Sequence, residues 1–176
     1  HTIGKGPCFL LQPAQFRPRD LAAGLTPAGI VYDGRYIWVA NIFSNNVSKI
    51  DPLADAVVAT TTLAGAENLT FDGTNIWVTD DALNAIYKVN ASTGNISTIA
   101  GNGSAGFAGD GGLATSAQLY QPQDMAVDGS GNVFIADSYN HRIRRVDAVS
   151  GNITTFAGNG TAGFAGDGGL ATSAQL

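Results

Sequence analysis

The sequence predicts an all-β fold, a β-propeller built of four-stranded antiparallel blades with about three blades present. Three observations lead to this prediction: a composition poor in helix signals, a long segment that occurs twice, and a shorter motif that occurs three times. Among the 14 acidic residues Glu67 is the only glutamate, and aspartate belongs to turns and caps more than to helix interiors. The 23 glycines point in the same direction.

The long repeat is a glycine-rich segment, GNGSAGFAGDGGLATSAQL, which runs from Gly101 to Leu119. It returns from Gly158 to Leu176 with a single change, Ser104 to Thr161. We call these two copies the first insert and the second insert. A return at this distance suits one supersecondary unit per repeat, so the chain is predicted to be a tandem array with the insert as a loop.

The shorter motif is an Asp-Gly turn followed by a strand: VYDGRYIWVAN, TFDGTNIWVTD and AVDGSGNVFIAD. The aspartates that open the turns are Asp33, Asp72 and Asp128. Glycine after aspartate accepts a positive φ, which a tight hairpin needs. A large ring follows at one equivalent place in every unit: Trp38, Trp77 and Phe134. Rings that recur once per repeat predict packing between neighbouring sheets rather than an aromatic ligand platform.

Period-two alternation in the third unit predicts four short strands, at 124–128, 132–137, 142–147 and 153–158. The predicted organisation is a non-repeat N-terminal arm at 1–24, blade 1 at 25–65, blade 2 at 66–120 and blade 3 at 121–176. Closed propellers use four to eight blades, so three blades form a partial ring or part of a larger assembly. Either further blades of a longer polypeptide or copies of this chain would complete the ring.

The stretch at 137–160, DSYNHRIRRVDAVSGNITTFAGNG, resembles the NHL-repeat family of β-propellers through its letters NHRI at 140–143. The first unit instead resembles bacterial surface propellers with YVTN-type repeats, through YIWVAN from Tyr36 and SKIDP from Ser48. The resemblance implies the fold and leaves function open, because propellers of this kind serve adhesion, scaffolding, recognition and several enzyme activities. His141, inside the NHL signature, is interpreted as a turn or strand residue rather than a ligand.

Candidate catalytic residues are Glu67 and Asp124, which stand at the predicted entries of inner strands. Propeller lyases and lactonases, which this fold resembles, place their sites where inner-strand ends meet the central channel. The two carboxylates could act there as an acid/base pair. The sequence favours a protein without catalysis, and the alternative is a segment of a lyase or hydrolase acting on a small molecule in the channel.

Candidate metal ligands are Asp110 and Asp167, the only carboxylates of the motif GFAGDGG at 106–112 and 163–169. Calcium takes six to eight oxygen ligands, and one aspartate with glycine carbonyls falls short of that number. The motif is therefore interpreted as a structural loop. Two histidines, His1 and His141, are too few for a zinc site, and no cofactor is expected.

The net charge of −5 disfavours binding to nucleic acid, and no apolar run reaches the 18 residues typical of a membrane span. Cys8, the single cysteine, has no internal disulfide partner and is either a buried thiol or an intermolecular contact. We therefore expect a prokaryotic extracellular, cell-surface or periplasmic propeller that serves binding, scaffolding or self-assembly. Its partner would be another protein or copies of itself, as a homo-oligomer or a fragment of a longer chain.

Overall fold

A computed structural model describes residues 26–176, which form twelve β-strands in three four-stranded antiparallel sheets. Among these residues there is no α-helix, and the only helical pieces are four 3₁₀ turns of three residues. The predicted all-β propeller architecture is confirmed. The N-terminal arm at 1–24, with Cys8, lies outside the described residues, so the expectations for it stay predictions.

Each sheet is a meander in which consecutive strands pair in chain order. Blade 1 consists of β1 (Pro27–Tyr32), β2 (Ile37–Asn41), β3 (Asn46–Asp51) and β4 (Ala56–Thr62). Blade 2 consists of β5 (Ala66–Phe71), β6 (Asn75–Asp80), β7 (Ala85–Asn90) and β8 (Ile96–Ala100). Blade 3 consists of β9 (Pro122–Val127), β10 (Val133–Asp137), β11 (Arg142–Val146) and β12 (Ile153–Ala157).

The blades pack face to face, and a ring from one sheet meets aliphatic side chains of the next. Trp38 of blade 1 is buried in a cluster with Leu69, Ile76 and Val78 of blade 2. Trp77 of blade 2 is buried in the equivalent cluster with side chains of blade 3, among them Ile135. Burying apolar surface of this size is the main term that holds neighbouring sheets together.

Phe134, at the same place in blade 3, is only half buried. Its ring packs edge to face on Phe156 with centroids 5.0 Å apart. The difference from the two tryptophans arises because none of the described residues forms a sheet on this side of blade 3.

The repeated aspartates connect each Asp-Gly turn to the ring that follows it. Asp33 Oδ2 accepts a hydrogen bond of 2.7 Å from Trp38 Nε1, and Asp72 Oδ2 accepts the same bond from Trp77 Nε1. The other oxygen of each carboxylate accepts two backbone N–H groups of its turn. Asp128 forms the same turn, but its Oδ2 accepts from the Asn132 side chain instead.

A left-handed residue follows the second strand of each blade at one equivalent position. Asn45, Asn84 and His141 have φ values of 52°, 50° and 51°. In blade 3 this residue closes a 3₁₀ turn, with the His141 N–H donating to the carbonyl of Ser138 over 3.0 Å. Asparagine and histidine are several-fold enriched in this region of backbone space, which gives the histidine of the NHL signature a backbone role.

We expect His141→Asn and His141→Gly to leave the free energy of unfolding nearly unchanged, because both residues tolerate a positive φ. His141→Val should lower it by about 1–2 kcal/mol, because a β-branched residue is strained in the left-handed region. Urea denaturation of the three variants measures the difference. Equal stability of the valine and asparagine variants would contradict the backbone role.

Candidate functional site

The inner strands β1, β5 and β9 lie side by side and bring the predicted channel residues of neighbouring blades together. Gly29 of β1 approaches β5 so closely that a Cβ there would lie 2.7 Å from the carbonyl oxygen of Glu67. Between blades 2 and 3, Thr79 Oγ1 accepts from the Asn68 N–H over 3.0 Å and donates to the carbonyl of Gln123 over 3.4 Å. The inner ends of the blades are therefore joined by polar contacts.

The two candidate catalytic carboxylates have different partners. Asp124 Oδ1 accepts from Asn68 Nδ2 over 2.9 Å and from the Met125 N–H over 2.8 Å, which makes it a contact between blades. Glu67 has a buried Oε2 without a hydrogen-bond partner, and burial, followed by the nearby charge of Asp81, raises its pKa. No hydrogen bond joins Glu67 to Asp124, and their action as an acid/base pair stays a prediction.

The first insert crosses from blade 2 to blade 3. The Gly111 N–H donates to the carbonyl of Ile153 over 2.7 Å, and the Ile153 N–H donates to the carbonyl of Gly112 over 2.9 Å. The Ala114 N–H donates to the carbonyl of Gly151, also over 2.9 Å. These backbone bonds attach the loop to the start of β12, the outer strand of blade 3.

Asp110 is the charged residue of this contact. Its Oδ1 accepts from Arg144 Nη2 over 2.6 Å and from Nε over 3.2 Å. Its Oδ2 accepts from the Thr155 hydroxyl over 2.6 Å and from the Thr155 N–H over 3.0 Å. Partial burial raises the pKa of Asp110, but the bonds from Thr155 and Arg144 outweigh it and hold the pKa below its usual value. The candidate cation ligand thus binds a guanidinium of the protein itself.

Arg144 is completely buried between two carboxylates that come from different parts of the chain. Besides Asp110, its Nη1 donates to Asp137 Oδ2 over 3.1 Å and to the carbonyl of Gln118 over 3.2 Å. The ring of Phe107 lies 4.7 Å from the guanidinium carbon. Burial raises the pKa of Asp137 despite these bonds, whereas at the less buried Asp110 the bonds from Thr155 and Arg144 outweigh burial and lower the pKa. A buried guanidinium needs such compensation, and the first insert supplies one of the two carboxylates together with the carbonyl of Gln118.

The second insert differs from the first at a single residue and lacks this environment. Phe164 is 90% exposed where Phe107 is 42% exposed, and Leu176 is 46% exposed where Leu119 is buried. Asp167 is exposed at the position of Asp110. Within residues 26–176 no hydrogen bond or ion pair engages its carboxylate, in contrast to that of Asp110.

Blade 2 has no arginine at the position of Arg144 and can be compared with blade 3 at this point. Asp80 occupies the position of Asp137, and Tyr87 that of Arg144, because Tyr87 pairs with Val78 as Arg144 pairs with Ile135. Asp80 is buried; its Oδ1 accepts from the Leu83 N–H over 2.8 Å, and its Oδ2 has no partner. Burial, with a further contribution from Asp81, raises its pKa to about 6.

Sequence reasoning did not identify Arg144, Asp137 or Asp80. The available signal was the period of two in RIRRV at 142–146, because Arg144 shares a strand face with apolar Val146 and both side chains are buried. In the part of the chain that the structure describes, no cluster of three or more His, Cys, Asp or Glu side chains could hold a metal ion. The same residues contain no helix that is long and apolar enough to cross a membrane.

Four-stranded antiparallel sheets stacked in tandem define this chain as a β-propeller of the NHL type. It belongs to the Teneurin NHL domain family, which it matches over residues 12–165.

The chain is similar to several proteins of which it spans only a part. It is 34% identical over 58 residues to Protein SUPPRESSOR OF QUENCHING 1, chloroplastic, from Arabidopsis thaliana, a match that covers 33% of this chain and 6% of that protein. A structural genomics protein of unknown function from Bacteroides thetaiotaomicron superposes with a TM-score of 0.67 at 21% identity, covering 85% of this chain and 40% of the other.

Two further structures show the same fold at lower identity. The virginiamycin B lyase from Staphylococcus aureus has a TM-score of 0.52 at 18% identity, over 74% of this chain and 40% of its own. A chain of a Nidogen/Laminin complex has a TM-score of 0.55 at 16% identity, over 76% of this chain and 49% of its own.

The two inserts provide a matched pair of substitutions. We expect Asp110→Ala to lower the free energy of unfolding by about 1–2 kcal/mol, because it leaves buried Arg144 with one carboxylate. The expected loss is no larger because solvent screens the partly exposed carboxylate of Asp110 in the parent protein. Asp167→Ala removes the same side chain from the same motif and should cost almost nothing. Denaturant unfolding of both variants tests this, and equal losses would show that Asp110 acts within its own loop.

Asp80 gives a pH prediction. Since the folded-state pKa is raised from 3.8 to about 6, the folded protein binds this proton more tightly, and stability falls as pH rises through that window. Asp80→Asn keeps an acceptor for the Leu83 N–H and removes the ionisation. The variant should be more stable than the parent at pH 7.5 by at most about 2–3 kcal/mol, with the gain fading towards pH 4. A gain that is independent of pH would contradict this explanation.

Proposed function

We propose that this chain is part of an extracellular, cell-surface or periplasmic propeller that binds a protein partner or copies of itself, without catalysis. The observation that carries the proposal is a pair of apolar sheet faces, one on blade 1 and one on blade 3, that no sheet within residues 26–176 covers and that are here called open. Each corresponds to a face that is covered where two described blades meet. Exposed apolar patches of this kind mark sites of protein association.

The open face of blade 1 carries Ile30 and Tyr32, which are 70% and 58% exposed. Ile30 pairs across the sheet with Val39, and Tyr32 pairs with Ile37. Their counterparts in blade 2 form the same pairs, and Leu69, the counterpart of Ile30, is buried against blade 1. The sequence of blade 1 therefore repeats a surface that packs on another sheet elsewhere in the chain.

The open face of blade 3 carries Phe134 and Phe156, and the second insert follows the last strand of this blade. Trp77, which stands in blade 2 where Phe134 stands in blade 3, is covered by the neighbouring sheet. The face of blade 3 corresponds to the one that carries Trp77 in blade 2, and the face of blade 1 corresponds to the one that carries Leu69 in blade 2. The two open faces should therefore fit each other as the two faces do in each contact between described blades.

The proposed partner class and location draw support from two likenesses. The similarity to a chain of a Nidogen/Laminin complex supports binding to protein. The resemblance of the first unit to bacterial surface propellers supports a location outside the cytoplasm. The net charge of −5 disfavours nucleic acid as the partner.

Self-assembly through these faces would be head to tail, because unlike faces meet. We expect light scattering at micromolar concentration to give a mass above the 18.0 kDa of one chain. Ile30→Lys and Phe156→Lys should each abolish the larger species, and mixing the two variants should restore one heterodimer, since each keeps the face that the other lacks. A monomeric parent chain would contradict self-assembly, and a mixture that stays monomeric would contradict the head-to-tail geometry.

A second candidate function is that of a segment of a lyase or hydrolase, favoured by Glu67 with its raised pKa and buried, partnerless oxygen. The fold similarity to virginiamycin B lyase supports the same reading. Incubation with a streptogramin B, followed by mass spectrometry, distinguishes the two functions. The binding proposal predicts that the mass of the streptogramin B stays unchanged. If the mass changes, and the change is lost in Glu67→Gln, the enzymatic function replaces the binding function.

A further inference from the structure

The second insert holds the folded conformation of the first insert without the contacts that surround the first. The Gly158 N–H donates to the carbonyl of Ala171 and the Asn159 N–H to that of Ala174, both over 2.9 Å. The first insert has the equivalent bonds, from 101 to 114 and from 102 to 117, also at 2.9 Å. The second insert therefore has the hydrogen-bonded loop conformation of the first, with Asp167 at the position that Asp110 has in its loop.

The residues of blade 3 that contact the first insert show which side chains a partner must offer. Asn140 Nδ2 donates to the carbonyl of Gly106 over 2.8 Å, and the Arg142 guanidinium lies 3.9 Å from the centre of the Phe107 ring. Arg144 and Thr155 occupy both oxygens of Asp110. These four groups all come from the third and fourth strands of blade 3 and the turn before them.

The presence of the arginine follows the presence of an insert in the preceding blade. Blade 3 follows the first insert and has Arg144. Blade 2 follows the short link at 63–65, and it has Tyr87 at that position. The corresponding surface of blade 2 is an open pocket of about 370 Å³ lined by Leu83, Tyr87 and Thr98 together with residues of its own insert. A blade without an insert before it thus lacks both the guanidinium and the loop that covers it.

We propose that the second insert is the docking element for a further β-blade, one whose third strand carries an arginine at the position of Arg144 and whose fourth strand carries a threonine at that of Thr155. Asp167 would bind that arginine and threonine as Asp110 binds Arg144 and Thr155. Phe134 and Phe156 would pack under the new sheet as Trp77 packs under blade 3. This inference rests on the proposed function, because it specifies the partner of one of the two open faces.

Copies of the present blades do not meet these requirements. Blade 1 of a second copy would offer Ser44 and Ser48 where Asn140 and Arg144 stand in blade 3. Such a contact covers the apolar face but leaves Asp167 without a cation. Blade 3 of a second copy has its arginine already bound to its own Asp110. An additional blade of the arginine type would cover the apolar face and also bind Asp167.

The test uses the full chain extended after Leu176 by a second copy of its residues 120–157, the segment that follows the first insert. Hydrogen–deuterium exchange is read on peptides of 158–176 in the parent and in the extended chain. Two matched controls are the extended chain with Arg144→Ser in the added copy only, which reproduces the residue of blade 1, and the extended chain with Asp167→Ala. Exchange over 26–157 reports whether the original blades stay folded.

We expect exchange in 158–176 to slow by about tenfold or more in the extended chain and to return towards the parent rate in both controls. If the Arg144→Ser copy protects the second insert equally well, the face accepts a blade but the arginine requirement is wrong, and the proposed function stands. If the added strands are protected while 158–176 is not, the insert is not the docking element. If neither is protected, the open face does not accept a blade, and the proposed function fails for this face.

Discussion

Each of the three described sheets has two apolar faces, and a sheet of four short strands cannot cover either face by itself. Blade 2 is the one described sheet with neighbours on both sides, and both its ring and its aliphatic side chains are buried. Blades 1 and 3 each have one face that no described sheet covers, with Ile30 exposed on the first and Phe156 50% exposed on the second. Face-to-face burial is therefore the interaction on which the fold depends, and it acts only between neighbours, as in other repeat proteins.

Charge adds selectivity to this apolar contact. Apolar faces of similar size can pack in more than one combination, whereas a buried guanidinium tolerates only a partner that brings a carboxylate. Arg144 takes one carboxylate from its own blade, Asp137, and one from the preceding blade, Asp110. Because the wrong neighbour would leave a buried charge unsatisfied, this arrangement discriminates between blades by a penalty as well as by an attraction.

The strands and turns could be predicted because their signals are local. Alternation in the third unit located its four strands to within a residue or two, and Asp33 or Asp72 marks its turn without any distant contact. Asp110 and Arg144 could not be joined in this way, because they are 34 positions apart and meet only once two blades are stacked. The side-chain bond from Trp77 to Asp72 was missed for a different reason, because residue type suggested only a packing ring and not its N–H group. His141 was predicted as a turn or strand residue, and the structure adds its left-handed backbone.

The two inserts differ at a single residue, so their intrinsic exchange rates are nearly the same and any difference in protection reports their surroundings. Hydrogen–deuterium exchange of the unextended chain is therefore the most direct measurement of whether neighbouring blades, rather than local sequence, hold these loops. The account predicts that peptides of 101–119 exchange slowly and those of 158–176 exchange fast in the same sample. Equal protection of the two segments would contradict it.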